Sequence, residues 1–408
     1  MSLPIAPHNA VVTDAARDTD RNTLSFARRR LLLGITGVGG SVLLSLVWLA
    51  ALLTGVVRVP NDWPIASAPL GAPVNATLLV LMVFFAHATL FSVVEFIGGA
   101  IAVRERPSFV RWFIAWLRGV TVQVVVLASV AFTAALAASQ LGVFGLLAVI
   151  FGASIVLVAA QGLVAKLVSS LRTETADEAV GALALEHGVR NSAVRVVHAR
   201  DEAFVGGWIG VQAPTLWIPA RWTAPEHRDL LAVQFARRHT QFTSGARRRG
   251  LIRAALWPVT GVALFAPLLP WSPADAAFWL ALPAISTLWT FVAVLLLPSL
   301  SRPVVYNADA AAAQRVGGAK VVTAIRQLDA WQDDEPERSP GVEFIFHPVP
   351  SRANRERALA RTHRKTFGGA HQQTRLTLFT SLSAFGLLGR VVHCNIGRPD
   401  LWAVYPGD

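Results

Sequence analysis

The stretch S-R-P-V-V-Y-N-A-D, residues 301–309, follows directly on an apolar run. An Ala-rich stretch, A-A-A-A-Q-R-V, comes next, then Gly317-Gly318, then A-K-V-V-T-A-I-R-Q-L-D. This order marks a place where a membrane span hands over to helices of a water-exposed domain. The rest of the composition agrees. Hydrophobic residues make up 53% of the 408, and mean hydropathy is +0.49, values that point to a membrane protein rather than two or three soluble domains. The net charge of +12 rests on Arg, with Lys at 166, 320 and 365 alone, and the basic residues flank apolar runs. That placement reads as topology and speaks against nucleic acid as a partner. The lone Cys394 rules out an intrachain disulfide.

About six spans can be read, over 31–57, 76–103, 119–138, 142–165, 254–270 and 276–300. Arg28, Arg29 and Arg30 precede the first, whose apolar run is too long for a cleaved leader and reads as an anchor. Arg104, Arg106, Arg111 and Arg118 lie between spans two and three, whereas 139–141 and 271–275 hold no basic residue. The positive-inside rule then puts both termini and the 166–253 segment in the cytoplasm of a multi-pass protein of the inner membrane. Arg247-Arg248-Arg249 reads as an anchor at the start of a span. Within the spans, His87 and Glu95 on span two are the ionisable candidates for function, set against a buried structural pair. Gln123 and Gln161 read as helix–helix hydrogen-bonding residues.

The organisation expected is a 1–30 tail, four spans over 31–165, a first cytoplasmic part over 166–253, two spans over 254–300, a second cytoplasmic part over 301–364, and a basic and apolar tail over 365–408. In the first part, 172–187 has helical Ala/Leu/Val spacing. S-A-V-R-V-V-H, 192–198, reads as a strand. A-F, then Gly206-Gly207, then P-T-L-W-I-P, 214–219, reads as a hairpin. Glu226 and Asp229 open a helix continuing L-L-A-V-Q-F-A-R-R-H-T-Q to Gln241. In the second part, a charged linker over 332–339 leads to F-I-F-H-P-V-P and S-R-A-N-R-E-R-A-L. The tail's 376–388 run is too short to span and is expected to dock on the domain or the interface, with His363 and His371 near anionic headgroups.

Taken together, 301–309, the hairpin, the 230–241 helix and His347-Pro348 resemble the membrane-embedded zinc metallopeptidases of the HtpX heat-shock and CAAX prenyl endopeptidase type. The likeness covers about 167–359. It implies a polytopic α-helical membrane protein with a cytoplasmic α+β, zincin-like metallopeptidase domain. In that family the motif after the last span is S-R-x-x-E-(F/Y)-x-A-D, and its Glu is the third zinc ligand. Here that position is Val305. The family's helix reads L-x-A-V-L-A-H-E-x-x-H, because two His one turn apart reach one zinc and the Glu takes a proton from its water. The matching positions here are Arg237, Arg238 and Gln241. A slip of one residue gives Ala236, Arg237 and Thr240, which restores no ligand.

Asp309 and His347 are retained, and Arg352 and Arg355 bracket the place of the Arg that follows in the family. The resemblance thus implies a degenerate peptidase, a pseudoenzyme with no competent catalytic residue and no zinc. It would bind or scaffold a peptide or membrane-protein partner among membrane lipid. Gly206, Gly207, Pro214, Leu216 and Ile218 are the candidates for holding an added strand. Arg237 or Arg238 is expected to pair with Asp309, against the alternative that both are solvated. Three other readings stay open: a peptidase of atypical ligation, a transporter, and a structural membrane component.

Overall fold

A computed structural model of the chain describes residues 26–58, 71–103, 106–169, 171–199, 204–211, 213–332, 335–347, 349–361, 382, 386–392 and 395–402. His363, His371 and most of the 376–388 run lie outside these residues. Five described helices are long and apolar enough to cross a membrane. The long ones are α1 (Phe26–Leu53), α2 (Gly71–Phe96), α3 (Phe109–Ala159), α7 (Ala246–Phe265) and α8 (Ala276–Val316). At about 1.5 Å per residue, each covers a hydrocarbon core of about 30 Å. The chain is a multi-pass membrane protein, mostly helical, with one small mixed sheet.

The 51 residues of α3 are not one rod. Gly142 has φ 57° and ψ −141°, outside the helical region, and the chain doubles back there. A Cβ on Gly145 would lie 2.3 Å from the Ala137 carbonyl oxygen. This break falls beside the 139–141 loop read from the sequence. Large apolar side chains on the outer faces, such as Leu43, Leu90, Val125 and Phe144, are exposed, as lipid-facing positions should be.

Two readings need correction. First, 172–187 is not one helix: Arg172–Thr175 is strand β1, and α5 spans Glu178–Glu186. Asp177 stops the strand and caps α5, its side chain accepting from the Val180 N–H at 2.7 Å. Second, α8 does not end at 300. It runs unbroken through Pro303 to Val316, where Gly317 at φ 97° ends it. Proline inside a helix costs about 3 kcal/mol, and the burial of Val304, Val305, Ala308 and Ala312 opposes that cost. The described part of the tail docks on the protein, as expected for the 376–388 run. Leu388, Val391 and Ile396 are buried against the membrane helices. A Cβ on Gly37 of α1 would meet the Val391 side chain at 2.8 Å, one on Gly99 the Gly397 carbonyl oxygen at 1.7 Å, and one on Gly119 the Trp402 ring at 2.6 Å. Trp112 Nε1 donates to the Gly397 carbonyl at 3.0 Å. The missing side chains at these glycines let the tail pack directly against the membrane helices.

The sheet order is β1–β2–β4–β3, with β2 Val194–His198, β3 Gly207–Ile209 and β4 Thr215–Pro219. β2 and β4 are parallel; the outer pairs are antiparallel. Its inner face, with Val194, Val196, Leu216 and Ile218, packs with Leu230, Leu231, Val233 and Phe235 of α6 (Arg228–Thr243) and with Val321, Ile325 and Leu328 of α9 (Gly318–Gln332). Two short helices, α10 (Pro340–Phe346) and α11 (Arg352–Ala360), close the domain over α8. α4 (Gln161–Val168) joins the spans to β1.

Candidate functional site

The apolar stripe of α6 faces the sheet and α9, which turns its last two turns toward α8. Arg237 is fully buried, Arg238 is 2% exposed and Gln241 1% exposed. On α8, Val305 and Asp309 stand one turn apart, both buried. Arg237 Nε lies 2.8 Å from Asp309 Oδ1. From α11, Arg355 adds a two-pronged contact: Nε donates to Oδ2 and Nη2 to Oδ1, each at 2.8 Å. One carboxylate thus ties α6, α8 and α11 together through two guanidinium groups. Arg238 takes another direction. Its Nη1 donates to Gln241 Oε1 at 3.3 Å and its Nη2 to the Val205 carbonyl at 3.3 Å, while Trp208 Nε1 donates to the Arg238 carbonyl at 3.1 Å. These bonds fasten the hairpin to α6. The expected Arg–Asp contact is present through Arg237, and neither arginine is solvated.

Around this knot further polar groups are bonded to one another. Glu343 is buried, accepting from the Ser351 N–H at 3.0 Å and from Asn354 Nδ2 at 2.7 Å. Arg302 donates to the Glu343 carbonyl, its guanidinium 5.3 Å from the centre of the Phe344 ring. His347 ends α10. Burial first, then Arg338 and Arg302, push its pKa down to about 3, so it is neutral at physiological pH. His198, His227 and His239 of the same domain are dispersed. His198 contacts Glu174 at 2.8 Å, His227 contacts Gln327 at 3.0 Å and His239 contacts the Gly188 carbonyl at 3.0 Å. Among the described residues, no three His, Cys, Asp or Glu side chains come together as a metal-holding group.

The strand candidates separate into two kinds. Leu216 and Ile218 lie on β4, which is bonded to β2 on one side and β3 on the other, and their side chains are buried in the core. Pro214 precedes β4. Gly207 belongs to β3, at the sheet edge. Gly206 has φ 65°, and a Cβ there would stand 2.0 Å from the Trp217 carbonyl oxygen, so the tight approach of the hairpin needs glycine.

The two intramembrane candidates do not pair with each other. His87 Nε2 is 3.5 Å from Ser41 Oγ of α1, and its ring lies 4.5 Å from that of Phe91. Glu95 meets Arg390 of the tail: Arg390 Nε donates to Oε1 at 2.8 Å, and Arg390 Nη2 and Trp116 Nε1 both donate to Oε2. The Arg390 guanidinium is ringed by Phe84, Trp116 and Trp402 at 5.7, 5.4 and 4.9 Å from their centres, a cation–π cage. The sequence signal for Arg390 was a single Arg in the apolar context L-L-G-R-V-V. A separate cavity of about 110 Å³ among the membrane helices is lined mainly by apolar residues, with Trp279 and Trp289 in its wall, and includes neither His87 nor Glu95.

No family model matches the sequence, and no curated protein does. Among solved structures, the crystal structure of Ste24p from S. mikatae matches over 83% of this chain and 100% of its own, with a TM-score of 0.59 at 10% identity. The chain shares the fold of Ste24p. At that identity the likeness is one of fold, and it supports at that level the family to which the sequence motifs pointed.

Proposed function

We propose that this protein is a membrane peptidase relative that has lost its metal site and acts by binding. It would hold a peptide or a membrane-protein segment at the former cleft, in a bilayer that it crosses six times with both termini in the cytoplasm. The observation that carries this reading is the occupation of Asp309 by Arg237 and Arg355. The positions that resemblance assigns to zinc ligands are Arg237, Gln241 and Val305. Val offers no donor, and Arg stays protonated. Two unit positive charges about 4 Å apart repel by about 1 kcal/mol in water and about four times that near a protein surface, and zinc carries two charges. The residues present therefore do not fit zinc, and no hydrolytic step is derived through it. The two guanidinium groups instead bridge helices that a metal would otherwise tie. Membrane lipid is the surrounding partner; nucleic acid is not proposed. The apolar lining of the 110 Å³ cavity favours this reading over a transporter.

The test is a peptidase assay on purified protein in detergent, with prenylated and unprenylated peptides, beside pull-down of membrane partners from solubilised membranes. The reading expects retention without cleavage. Zinc-dependent cleavage that chelators abolish would overturn it.

A further inference from the structure

The cavity among the membrane helices takes no part in the site around Asp309. Four helices and the tail build its wall: Phe84 of α2, Ala131 and Leu146 on the two arms of α3, Val262 of α7, Ile285 of α8 and Leu387 of the tail. The helices contribute from within their apolar stretches. Ile285 lies about 14 Å along the Ala276–Leu296 stretch of α8, at about 1.5 Å per residue, so the cavity sits at the depth of the hydrocarbon core. Its volume is about 110 Å³, comparable with the roughly 150 Å³ at which an apolar cavity stays dry and admits benzene. Polar groups on the wall are turned to other partners. Thr287 Oγ1 donates to the Pro283 carbonyl and Thr290 Oγ1 to the Ser286 carbonyl, and the indole nitrogens of Trp279 and Trp289 donate to the carbonyls of Pro273 and Trp257, each at 2.8 Å. Ser286 is exposed, and Pro258, Pro283 and Trp289 are half-buried. All four line the cavity, which places its mouth between α7 and α8. A Cβ on Gly261 would lie 2.3 Å from the Trp289 ring, and that ring stacks on Trp257 at 4.4 Å. The glycine thus seats the indole against α7 and fixes one side of the mouth.

We infer that this cavity is a binding site for one hydrocarbon chain of a membrane lipid, entering from the bilayer between α7 and α8. A buried water needs about two to four polar partners, and the threonine hydroxyls and indole N–H groups of the wall already donate within the protein. An unfilled void forfeits dispersion contacts along its lining. The bilayer offers acyl chains at the same depth, and a chain moved from lipid to this wall gives up no hydrophobic free energy, because lipid tails are as apolar as the side chains. No described residue of the wall is charged, so the chain enters and its headgroup stays at the bilayer surface. The inference is independent of whether the site around Asp309 holds metal.

The experiment places the full chain in phosphatidylcholine nanodiscs containing a phosphatidylcholine with a photoreactive diazirine on its acyl chain. After illumination and digestion, mass spectrometry maps the adducts. Outer residues such as Val125 and Phe144 are exposed and serve as the internal reference for ordinary lipid contact. Adducts are expected on Leu146, Ile150, Val262 or Ile285 as well, which line the cavity and are buried. Ala131→Leu, which fills the cavity, should cut these wall adducts several-fold and leave those on Phe144 unchanged. Ile285→Ala, which widens it, should raise those on Leu146, Ile150 and Val262. Should a variant fail to fold, the map of the unaltered protein decides. Adducts confined to the outer residues overturn the site, and so do wall adducts that neither substitution changes. A photoreactive farnesyl peptide that labels the wall where the acyl lipid does not would assign the cavity to an isoprenoid and overturn the lipid chain.

Discussion

Two buried carboxylates organise this molecule, and they are neutralised differently. Glu95 in the membrane half has one cation, Arg390, whose guanidinium is otherwise ringed by aromatic faces. Asp309, in the domain built on the sheet, has two, Arg237 and Arg355. The first arrangement is closed. Its charges balance one to one, rings exclude water, and the tail segment carrying Arg390 is fixed between α1, α2 and α3. The second joins α6, α8 and α11 through one carboxylate and two guanidinium groups. The contrast separates two uses of buried ions. A pair in an apolar setting specifies how a segment docks, while a carboxylate shared by two arginines fixes three helices to one another.

The largest effect should follow Asp309→Asn. It leaves two buried guanidinium groups without their shared carboxylate, and breaking a buried pair costs about 3–5 kcal/mol. Chemical unfolding in detergent should show a loss at the upper end of that range or no folded protein. Arg390→Met should cost about 3 kcal/mol, less because the aromatic cage can accept an apolar chain, and Glu95→Gln combined with it should restore most of the loss. Failure of the double variant to recover would break the view of this pair as a docking device. Gly99→Ala should cost about 1–3 kcal/mol by overpacking, since the new methyl would strike the Gly397 carbonyl. It should also expose the tail to protease, which a change confined to α2 would not do.

The smallest effect concerns acid. His347 is neutral in the fold, with its pKa pushed from 6.5 to about 3. Between those values the unfolded chain binds the extra proton, so this group makes stability fall as pH is lowered from about 6.5 toward 3. His347→Gln should flatten that part of the curve in a pH series of unfolding midpoints. An unchanged slope would remove His347 from the account.

Much of the site around Asp309 was legible in the sequence because its residues lie in short motifs with fixed helical spacing. Arg237 and Asp309 could be matched through the 230–241 helix and the 301–309 stretch. Arg355 was visible as a bracketing residue, but the turn between α10 and α11 decides which arginine reaches Asp309. The membrane pair was not legible. Glu95 and Arg390 are 295 positions apart, and an arginine in a tail carries no periodicity that reveals a buried partner. The R-T-E-T strand was hidden because its polar alternation runs into the Ala/Leu spacing of α5. The continuity of α8 was hidden because Pro303 reads as a stop, whereas packing against α6 and α9 carries the helix through it.

The central claim is that guanidinium–carboxylate contacts stand where relatives of this fold are expected to bind metal. Metal content of the purified protein, by mass spectrometry after exhaustive dialysis, tests it most directly. The account predicts zinc far below one per chain. Zinc near one per chain, retained through dialysis and removed only by strong chelators, would contradict it.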